Sequence, residues 1–391
     1  MPMNQLDFDQ PVERRGTASF KWDGAEAAFG RGDVIPLWVA DMDFPCAPEI
    51  LEAFEARIRH GVMGYTIRTP RYLEAVRGWF RSRHGWEVPE EHLAFAPPGV
   101  IFAVNVLIDI LTKPGDRIVM QTPNYDALMS SVTEGGRILA ENPLKVENGR
   151  YTLDFDGLER ELARPGTKVL LMSNPNNPTG RLWTPEELRR LGEMCLAHGV
   201  TILSDDIHAD LAMPGYRYTP LPSLSPELAR ASVLLTSTNK TFNLGGLQMA
   251  TLAIGDEELR MRFNQAMCRY QTRLDNLFGA VALETAYEKC GYWLDQAVAY
   301  IDGNRRALEK FAEEHLPQLK FCPMEATYFS WVDFSGLGKG EGLESFLVEE
   351  CGVALTPGRE FSEQYSQFMR VNLACRRELL LQAFRQIARH I

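Results

Sequence analysis

The sequence predicts an α/β protein in which a mostly parallel sheet is sandwiched by helices. From about residue 94 to residue 270, short and nearly continuous apolar segments alternate with segments that have the apolar spacing of amphipathic helices. Such strands are typical of parallel sheets covered on both faces. The last third of the chain has long helical patterns followed by short strands, which predict a smaller α+β domain.

Composition excludes several other classes of protein. The chain has 391 residues, of which 45% are hydrophobic and 24% charged, as in a globular protein of two or three domains. Its 41 Lys and Arg against 52 Asp and Glu leave a formal net charge of −11, which argues against nucleic acid or a membrane as a partner. No apolar run approaches the roughly 18 residues that span a bilayer.

The cysteines and the first residues indicate where the protein works. The seven Cys are scattered and contain no Cys-x-x-Cys pair, which is typical of reduced side chains in a cytoplasmic protein. The first ten residues lack the basic and apolar segments of a signal peptide. We therefore expect a cytoplasmic protein.

The elements expected in chain order begin with an N-terminal arm. The arm contains a short strand candidate, Val34–Val39, and the helix after it has Pro48 near its start, where the missing N–H costs least. The helices expected are 47–60, 70–83, 100–111, 125–134, 185–198, 256–270, two or three between 276 and 312, and 377–391. The strands expected are 117–121, 168–172, 200–204, 233–237, 251–254, 320–322, 327–333 and 369–373. We expect residues 1–45 to be an arm that joins the small domain, residues 46–285 to be the large domain and residues 286–391 to be the small domain.

Polar residues of unusual kinds follow three of the predicted strands. Residues 173–180 read SNPNNPTG, and two prolines and a glycine exclude regular structure there. Two adjacent carboxylates, Asp205 and Asp206, follow the next strand, where α/β sheets bind ligands, although an Asp there could alone be a helix N-cap. Lys240 follows a third strand among hydroxyl and amide side chains, and could be either a surface charge or an amine poised to form a Schiff base.

A fourth signal precedes the helix at 100–111. Gly99 stands directly before it, so the first backbone N–H groups of the helix are exposed to an anion such as phosphate. Each feature is weak alone, but the four occur in order on one predicted sheet.

In combination these features resemble the fold type I pyridoxal phosphate (PLP) enzymes, in the class I/II aminotransferase superfamily. Within it the chain is most similar to the MalY/PatB group of cystathionine β-lyases. The resemblance extends from residues 19–23 (SFKWD) and 38–44 (WVADMDF) to residues 370–375 (RVNLAC). It implies that residues 46–285 bind PLP and that the protein is a homodimer acting on a small amino-acid substrate.

The resemblance also implies a role for individual residues. Lys240 resembles the lysine that carries PLP and acts in catalysis, and Asp205 resembles the partner of the pyridine nitrogen, whose protonation PLP chemistry needs. Arg370 resembles the arginine that forks onto the substrate carboxylate. The other residues that the resemblance places at PLP are Asn177 and His208 at the phenolic oxygen, Tyr125 stacked on the ring, and Gly99, Val100, Ile101 and Ser237 at the phosphate. Tyr65 matches a tyrosine that crosses the dimer interface to act in the partner's site, and it and Asn177 are also expected to contact substrate.

The implied function is a PLP-dependent carbon–sulfur β-lyase that converts L-cystathionine or a related cysteine S-conjugate to a thiol, pyruvate and ammonia. An aminotransferase and a regulatory protein acting by protein contacts, as in the MalY group, are the alternatives. Many aminotransferases have Arg at the position of Gln248 and Tyr at that of His208, so these two residues favour the lyase. Arg376, where the group usually has Pro, leaves the shape of the carboxylate site open.

No metal is expected. The seven histidines form no His-Glu-x-x-His motif, and no Cys/His cluster has the spacing of a zinc site. The glycine-rich segment 336–342 matches neither a dinucleotide fingerprint nor a P-loop and predicts a flexible turn.

Overall fold

The structure is a computed structural model that describes residues 5–147 and 149–391. The strands are β1 Ile35–Pro36, β2 Leu93–Ala96, β3 Arg117–Thr122, β4 Ile138–Pro143, β5 Lys145–Glu147, β6 Arg150–Thr152, β7 Thr167–Ser173, β8 Thr201–Asp205, β9 Ser232–Thr236, β10 Ala250–Ile254, β11 Lys320–Phe321, β12 Phe329–Asp333, β13 Val353–Ala354, β14 Thr356–Pro357 and β15 Phe368–Asn372. The α-helices are α1 Ala25–Phe29, α2 Pro48–His60, α3 Pro70–Trp79, α4 Val100–Leu111, α5 Asp126–Thr133, α6 Phe155–Leu162, α7 Pro185–His198, α8 Pro226–Ala231, α9 Thr238–Thr241, α10 Glu257–Arg269, α11 Leu277–Lys289, α12 Gly291–His315, α13 Leu343–Ser345 and α14 Arg377–Ala388.

The large sheet has seven strands within the described residues, in the order β2-β10-β9-β8-β7-β3-β4. The neighbours from β9 to β4 pair in parallel, and β10 is antiparallel to both of its neighbours. Side chains from β7, β8 and β9 are buried on both faces of the sheet. One face packs on a cluster that includes α4, α5 and α10, and the other on a cluster that includes α6 and α7. The predicted mostly parallel sheet between helices is therefore correct.

Helix α7 illustrates how local sequence sets an element. Thr184 caps its first turn and accepts a hydrogen bond from the backbone of Glu187, whose side chain bonds back to the cap. Pro185 occupies the first helical position, and Gly199 ends the helix with φ of 63°. This is why the bounds predicted for 185–198 match the structure.

The C-terminal part of the chain forms a second, antiparallel sheet. Its strands lie in the order β11-β12-β15-β14, and α12 and α14 pack beside it in the largest hydrophobic cluster. In the arm, β1 pairs in parallel with β13, where Ile35 lies opposite Val353. The predicted boundary between residues 285 and 286 falls inside α11. The division into an arm and two domains stays a prediction.

Some predicted elements differ from the structure at their ends. The strand expected at 34–39 is only two residues long, because side chains from other parts of the molecule bind the carbonyls that follow it. The helix expected at 70–83 changes to a π-helical turn after Trp79. Ser237 caps α9 instead of ending β9. The strands β2 and β4 and the helix α6 were not among the predicted elements, although α6 is amphipathic and begins after the N-cap Asp154.

Candidate active site

A cavity of about 270 Å³ opens at the carboxyl ends of the central strands. Ser173 ends β7, Asp205 ends β8 and Lys240 lies on α9, directly after β9. Parallel strands end at the same edge of a sheet, so residues distant in sequence meet there. The lining residues that the sequence predicted are Gly99, Val100, Ile101, Tyr125, Asn177, Asp205, His208 and Lys240.

The two adjacent aspartates at the end of β8 have different surroundings. Asp205 lines the cavity and accepts a hydrogen bond from the backbone N–H of Ile207 at 3.2 Å. Burial raises the pKa of Asp205 to about 6. Asp206 accepts hydrogen bonds from the hydroxyls of Ser204 and Tyr218 inside the protein. Asp205 is therefore the carboxylate that can meet a ligand, as the resemblance implied.

Lys240 is partly buried, and its amine donates to the carbonyl oxygen of Ala40 at 2.7 Å. Burial and the charge of Arg370 lower the pKa of Lys240 to about 8, although Asp41 and Asp205 act in the opposite direction. A lysine with this pKa has a substantial neutral fraction near neutral pH, which both nucleophilic attack and proton abstraction require.

His208 is neutral in this environment. Its ring is 4% exposed, and burial lowers the pKa of His208 well below its ordinary value, with the charges of Lys240 and Arg370 acting in the same direction. The ring edges contact Tyr328 and Phe329, and the buried Nδ1 atom has no hydrogen-bond partner. An unpartnered buried ring nitrogen beside a cavity is available to a ligand.

Arg370, on β15, reaches the same site from the small sheet. One terminal nitrogen donates to Asn177 Oδ1 at 3.0 Å and the other to the Trp38 carbonyl at 3.0 Å, while Nε is buried without a partner. The guanidinium also lies 4.1 Å from the ring centroid of Phe329. Burial lowers the pKa of Arg370 to about 10, so it stays charged at neutral pH. A fixed, planar cation of this kind suits a carboxylate.

The start of α4 provides an anion site at one end of the cavity. Gly99 precedes the helix with φ of 104°, a conformation that favours glycine. The first turn of α4 has neither a side-chain cap nor an acidic residue, so its backbone N–H groups are free for an anion. Gln248 also lines the cavity, with φ of 47°, and its backbone approaches Gly99.

Four residues singled out from the sequence are not among those that line this cavity. One of them, Arg370, is connected to it by the hydrogen bond to Asn177, which does line the cavity. Ser237 is buried, and its hydroxyl accepts a hydrogen bond from the backbone of Asn239. Tyr65 is 95% exposed in a segment without helix or strand. Arg376 is the N-cap residue of α14. The roles implied for Ser237 and Tyr65 stay predictions, as do the roles implied for the residues that line the cavity and for Arg370.

The functional feature that sequence reasoning missed is the backbone of residues 38–42. The carbonyls of Val39 and Asp41 accept from Asn372 Nδ2 at 2.7 and 2.6 Å, and that of Met42 accepts from Asn243 at 2.9 Å. The carbonyls of Trp38 and Ala40 accept from Arg370 and Lys240. This segment thus contacts both cations of the site. No local pattern could reveal these contacts, since Asn372, Asn243, Arg370 and Lys240 all lie at least 200 positions from their acceptors.

Ion pairs fasten this segment to residues 14–22, which precede it in the chain. Lys21 has no exposed surface, and its amine lies 2.8 Å from Asp43. Arg14 pairs with Asp41 at 2.7 Å and with Asp43 at 2.6 Å, and Trp22 also donates to Asp43. Such a network is stable only when every charge is paired.

Comparisons with known proteins identify the family. The sequence profile of the family Aminotransferase class I and II matches residues 32–387. The chain belongs to this family. It is 39% identical to the cystathionine β-lyase PatB of Bacillus subtilis, over 98% of this chain and 99% of that protein.

Solved structures of family members match the whole fold. Cystalysin of Treponema denticola, whose crystal structure contains PLP, is 31% identical, with a TM-score of 0.95 over 98% of both chains. The PLP-bound C–S lyase of Staphylococcus hominis is 29% identical, with a TM-score of 0.93 over 98% of both chains. The fold type I architecture and the family expected from the sequence are confirmed.

The residues present fit PLP. The free N–H groups of α4 suit its phosphate, the buried carboxylate of Asp205 suits its ring nitrogen, and the unpartnered Nδ1 of His208 lies at the same cavity. Lys240 lines the same cavity and would provide the amine for its aldehyde carbon. Among residues 5–147 and 149–391, no group of three or more His, Cys, Asp or Glu side chains could hold a metal ion. No helix in the described part of the chain has the length and apolar character needed to cross a membrane.

Proposed function

We propose that this chain is a PLP-dependent carbon–sulfur β-lyase that cleaves L-cystathionine or a related cysteine S-conjugate. The observation that carries the proposal is the meeting of Lys240 and Asp205 at one cavity that fits PLP, with Arg370 hydrogen-bonded to Asn177 in the wall of that cavity. The names of its relatives, a cystathionine β-lyase and a C–S lyase, support the choice of reaction. The overall reaction consumes the substrate and water, and releases a thiol, pyruvate and ammonia.

Each residue performs a separate task in this reaction. Arg370 binds the α-carboxylate of the substrate, because its free Nε and fixed terminal nitrogens present a fork to two oxygens. Asp205 holds a negative charge in a buried position against the ring nitrogen of the cofactor. When bound, PLP supplies an electron sink for the bond that breaks at the substrate α-carbon.

Lys240 moves the proton. Its neutral amine takes the proton from the α-carbon, and the electrons of that bond expel the β-substituent as a thiolate, which then receives a proton from Lys240 or from Tyr65 of the partner. The neutral ring of His208 adds no charge near the amine. The Ala40 carbonyl holds the amine of Lys240 at a defined point in the site.

The first experiment measures pyruvate release from L-cystathionine by the purified protein with PLP and no keto acid. We expect pyruvate and free thiol in equal amounts. Cofactor-loaded protein that forms no pyruvate, but turns over when a keto acid is added, would replace the lyase by the aminotransferase. Protein that takes up no PLP would overturn the proposal.

We also propose that the protein is a cytoplasmic homodimer with Tyr65 acting in the partner's site. Tyr65 lies in an exposed segment that also presents Val62, Met63 and Ile67 to solvent. Apolar side chains concentrated in this way are typical of an interface. The seven cysteines, which all lie in the described part, are unpaired, as expected in a reducing compartment.

Mixing two variants, each of which lacks one side chain of the proposed site, tests the dimer. Lys240→Ala removes the amine of a chain's own site, and Tyr65→Ala removes the side chain that acts in the partner's site. After unfolding and refolding together, mixed dimers contain one intact site, so about a quarter of native activity returns. Recovery of no activity from refolded, dimeric protein would contradict the crossing role of Tyr65.

A further inference from the structure

The Ala40 carbonyl oxygen accepts two hydrogen bonds from different parts of the chain. Lys240 Nζ lies at 2.7 Å, and the hydroxyl of Tyr328, just before β12, lies at 2.9 Å. A carbonyl oxygen has two lone pairs, and both have a donor here. The tyrosine hydroxyl and the lysine amine therefore share one acceptor, the partial negative charge of the Ala40 carbonyl oxygen.

Neither the acceptor nor the tyrosine can easily move away. The two carbonyls flanking Ala40 are both held by Asn372, which is fully buried. Tyr328 is 1% exposed, and its ring packs at 5.6 Å from the His208 ring and 4.6 Å from the Phe329 ring. Burial raises the pKa of Tyr328 above its ordinary value, so its hydroxyl keeps the proton that it donates.

We propose that Tyr328 is a positioning residue for Lys240, because its hydroxyl occupies one lone pair of the Ala40 carbonyl and so limits how strongly that carbonyl stabilises the charged lysine. This inference rests on the role proposed for Lys240 as the base. A hydrogen bond to the charged form of an amine favours that form. A second donor on the same oxygen weakens this effect and leaves more of the lysine neutral.

Removal of the hydroxyl alone isolates this effect. The variant Tyr328→Phe keeps the aromatic ring and its contacts. Four other charged or titratable groups interact electrostatically with Lys240, and the substitution leaves all of them in place. They are Arg370, Asp41, Asp205 and His208. A changed titration of Lys240 in this variant therefore reports the lost hydroxyl.

The experiment follows Lys240 in two forms of the full chain. In the cofactor-free protein, acetic anhydride labels the neutral amine, and mass spectrometry gives the extent of labelling of Lys240 at each pH. We expect the midpoint, about 8 in the parent protein, to move upward by about half a pH unit or more in Tyr328→Phe. In the holoenzyme, the acid limb of kcat should move in the same direction while KM stays unchanged.

Tyr151→Phe is the matched control. Its hydroxyl is also buried and accepts a hydrogen bond from Trp331 at 3.0 Å, in a hydrophobic cluster separate from that of Tyr328. This variant should lose a comparable amount of stability without moving the Lys240 midpoint. A midpoint in Tyr328→Phe that is equal to or below that of the parent protein would overturn the inference.

Failure of this inference is distinguishable from failure of the proposed function. Lys240→Ala should abolish turnover and leave the cofactor bound non-covalently. Turnover that survives in Lys240→Ala would overturn the proposed role of the lysine and this inference together. An inactive Lys240→Ala with an unchanged midpoint in Tyr328→Phe would overturn only the role of Tyr328.

Discussion

Replacing Asp205 by Asn should stabilise the cofactor-free protein while it impairs catalysis. The Asp205 carboxylate is 7% exposed and accepts a hydrogen bond from the Ile207 N–H at 3.2 Å, and no salt bridge is formed by it in the described structure. An ionised carboxylate in such a position is disfavoured, and burial raises the pKa of Asp205 from 3.8 to about 6. Asparagine has the same shape and can keep the bond from Ile207.

The size of the effect follows from linkage between protonation and folding. Because the folded pKa of Asp205 lies above the unfolded value, the penalty is absent below about pH 4 and complete above about pH 6. Two pKa units correspond to about 3 kcal/mol at pH 7.5, and about half of that applies at pH 5. The free energy of unfolding of Asp205→Asn should exceed that of the parent protein by these amounts.

Urea unfolding of both cofactor-free proteins at pH 5 and pH 7.5 measures this difference. Asp210→Asn is the control, because we expect it to change the free energy of unfolding in the opposite direction. Burial opposes ionisation of Asp210, but hydrogen bonds from His84, Thr241 and Trp79 prevail and lower the pKa of Asp210 below its ordinary value. That variant should be less stable at pH 7.5. If Asp205→Asn is no more stable than the parent at pH 7.5, the reasoning is wrong.

The same substitution should reduce turnover of the holoenzyme. Asparagine supplies no negative charge to a protonated ring nitrogen, and loss of one preorganised electrostatic group in an active site costs about 10²-fold or more in kcat. Pyruvate release measures this loss. If Asp205→Asn is more stable but turns over more slowly, Asp205 lowers the stability of the cofactor-free protein and serves catalysis with the cofactor.

Two other substitutions test the remaining parts of the site. Arg370→Lys replaces a guanidinium that can bind both carboxylate oxygens by a single ammonium group, so kcat/KM for the amino acid should fall about 10- to 100-fold. An unchanged kcat/KM would show that the substrate carboxylate binds elsewhere. Lys21→Met leaves the buried carboxylate of Asp43 with one cation fewer. It should lower the free energy of unfolding by about 3 kcal/mol in urea titrations, whereas an unchanged midpoint would show that Arg14 alone suffices.

The local sequence could not show which of the two adjacent carboxylates at the end of β8, Asp205 or Asp206, faces a ligand. Both could have capped a helix or met a ligand, and only the resemblance to a family favoured Asp205. In the structure Asp206 turns to Ser204 and Tyr218, and Asp205 turns to the cavity. The partners of Asp206 depend on how the chain returns after β8, which a pattern of one strand does not contain.

The sequence by itself determined the parallel sheet and, through its resemblance to a family, eight of the residues that line the cavity. Strands buried on both faces are continuously apolar, and polar residues after such strands must meet at one edge. Only the tertiary structure decided how Lys240 and Arg370 are held relative to each other. Both donate to the backbone of residues 38–40, which Asn372 fixes from the small sheet. Backbone carbonyls are the same in every residue, so the sequence of this segment carries no record of which side chains bind it.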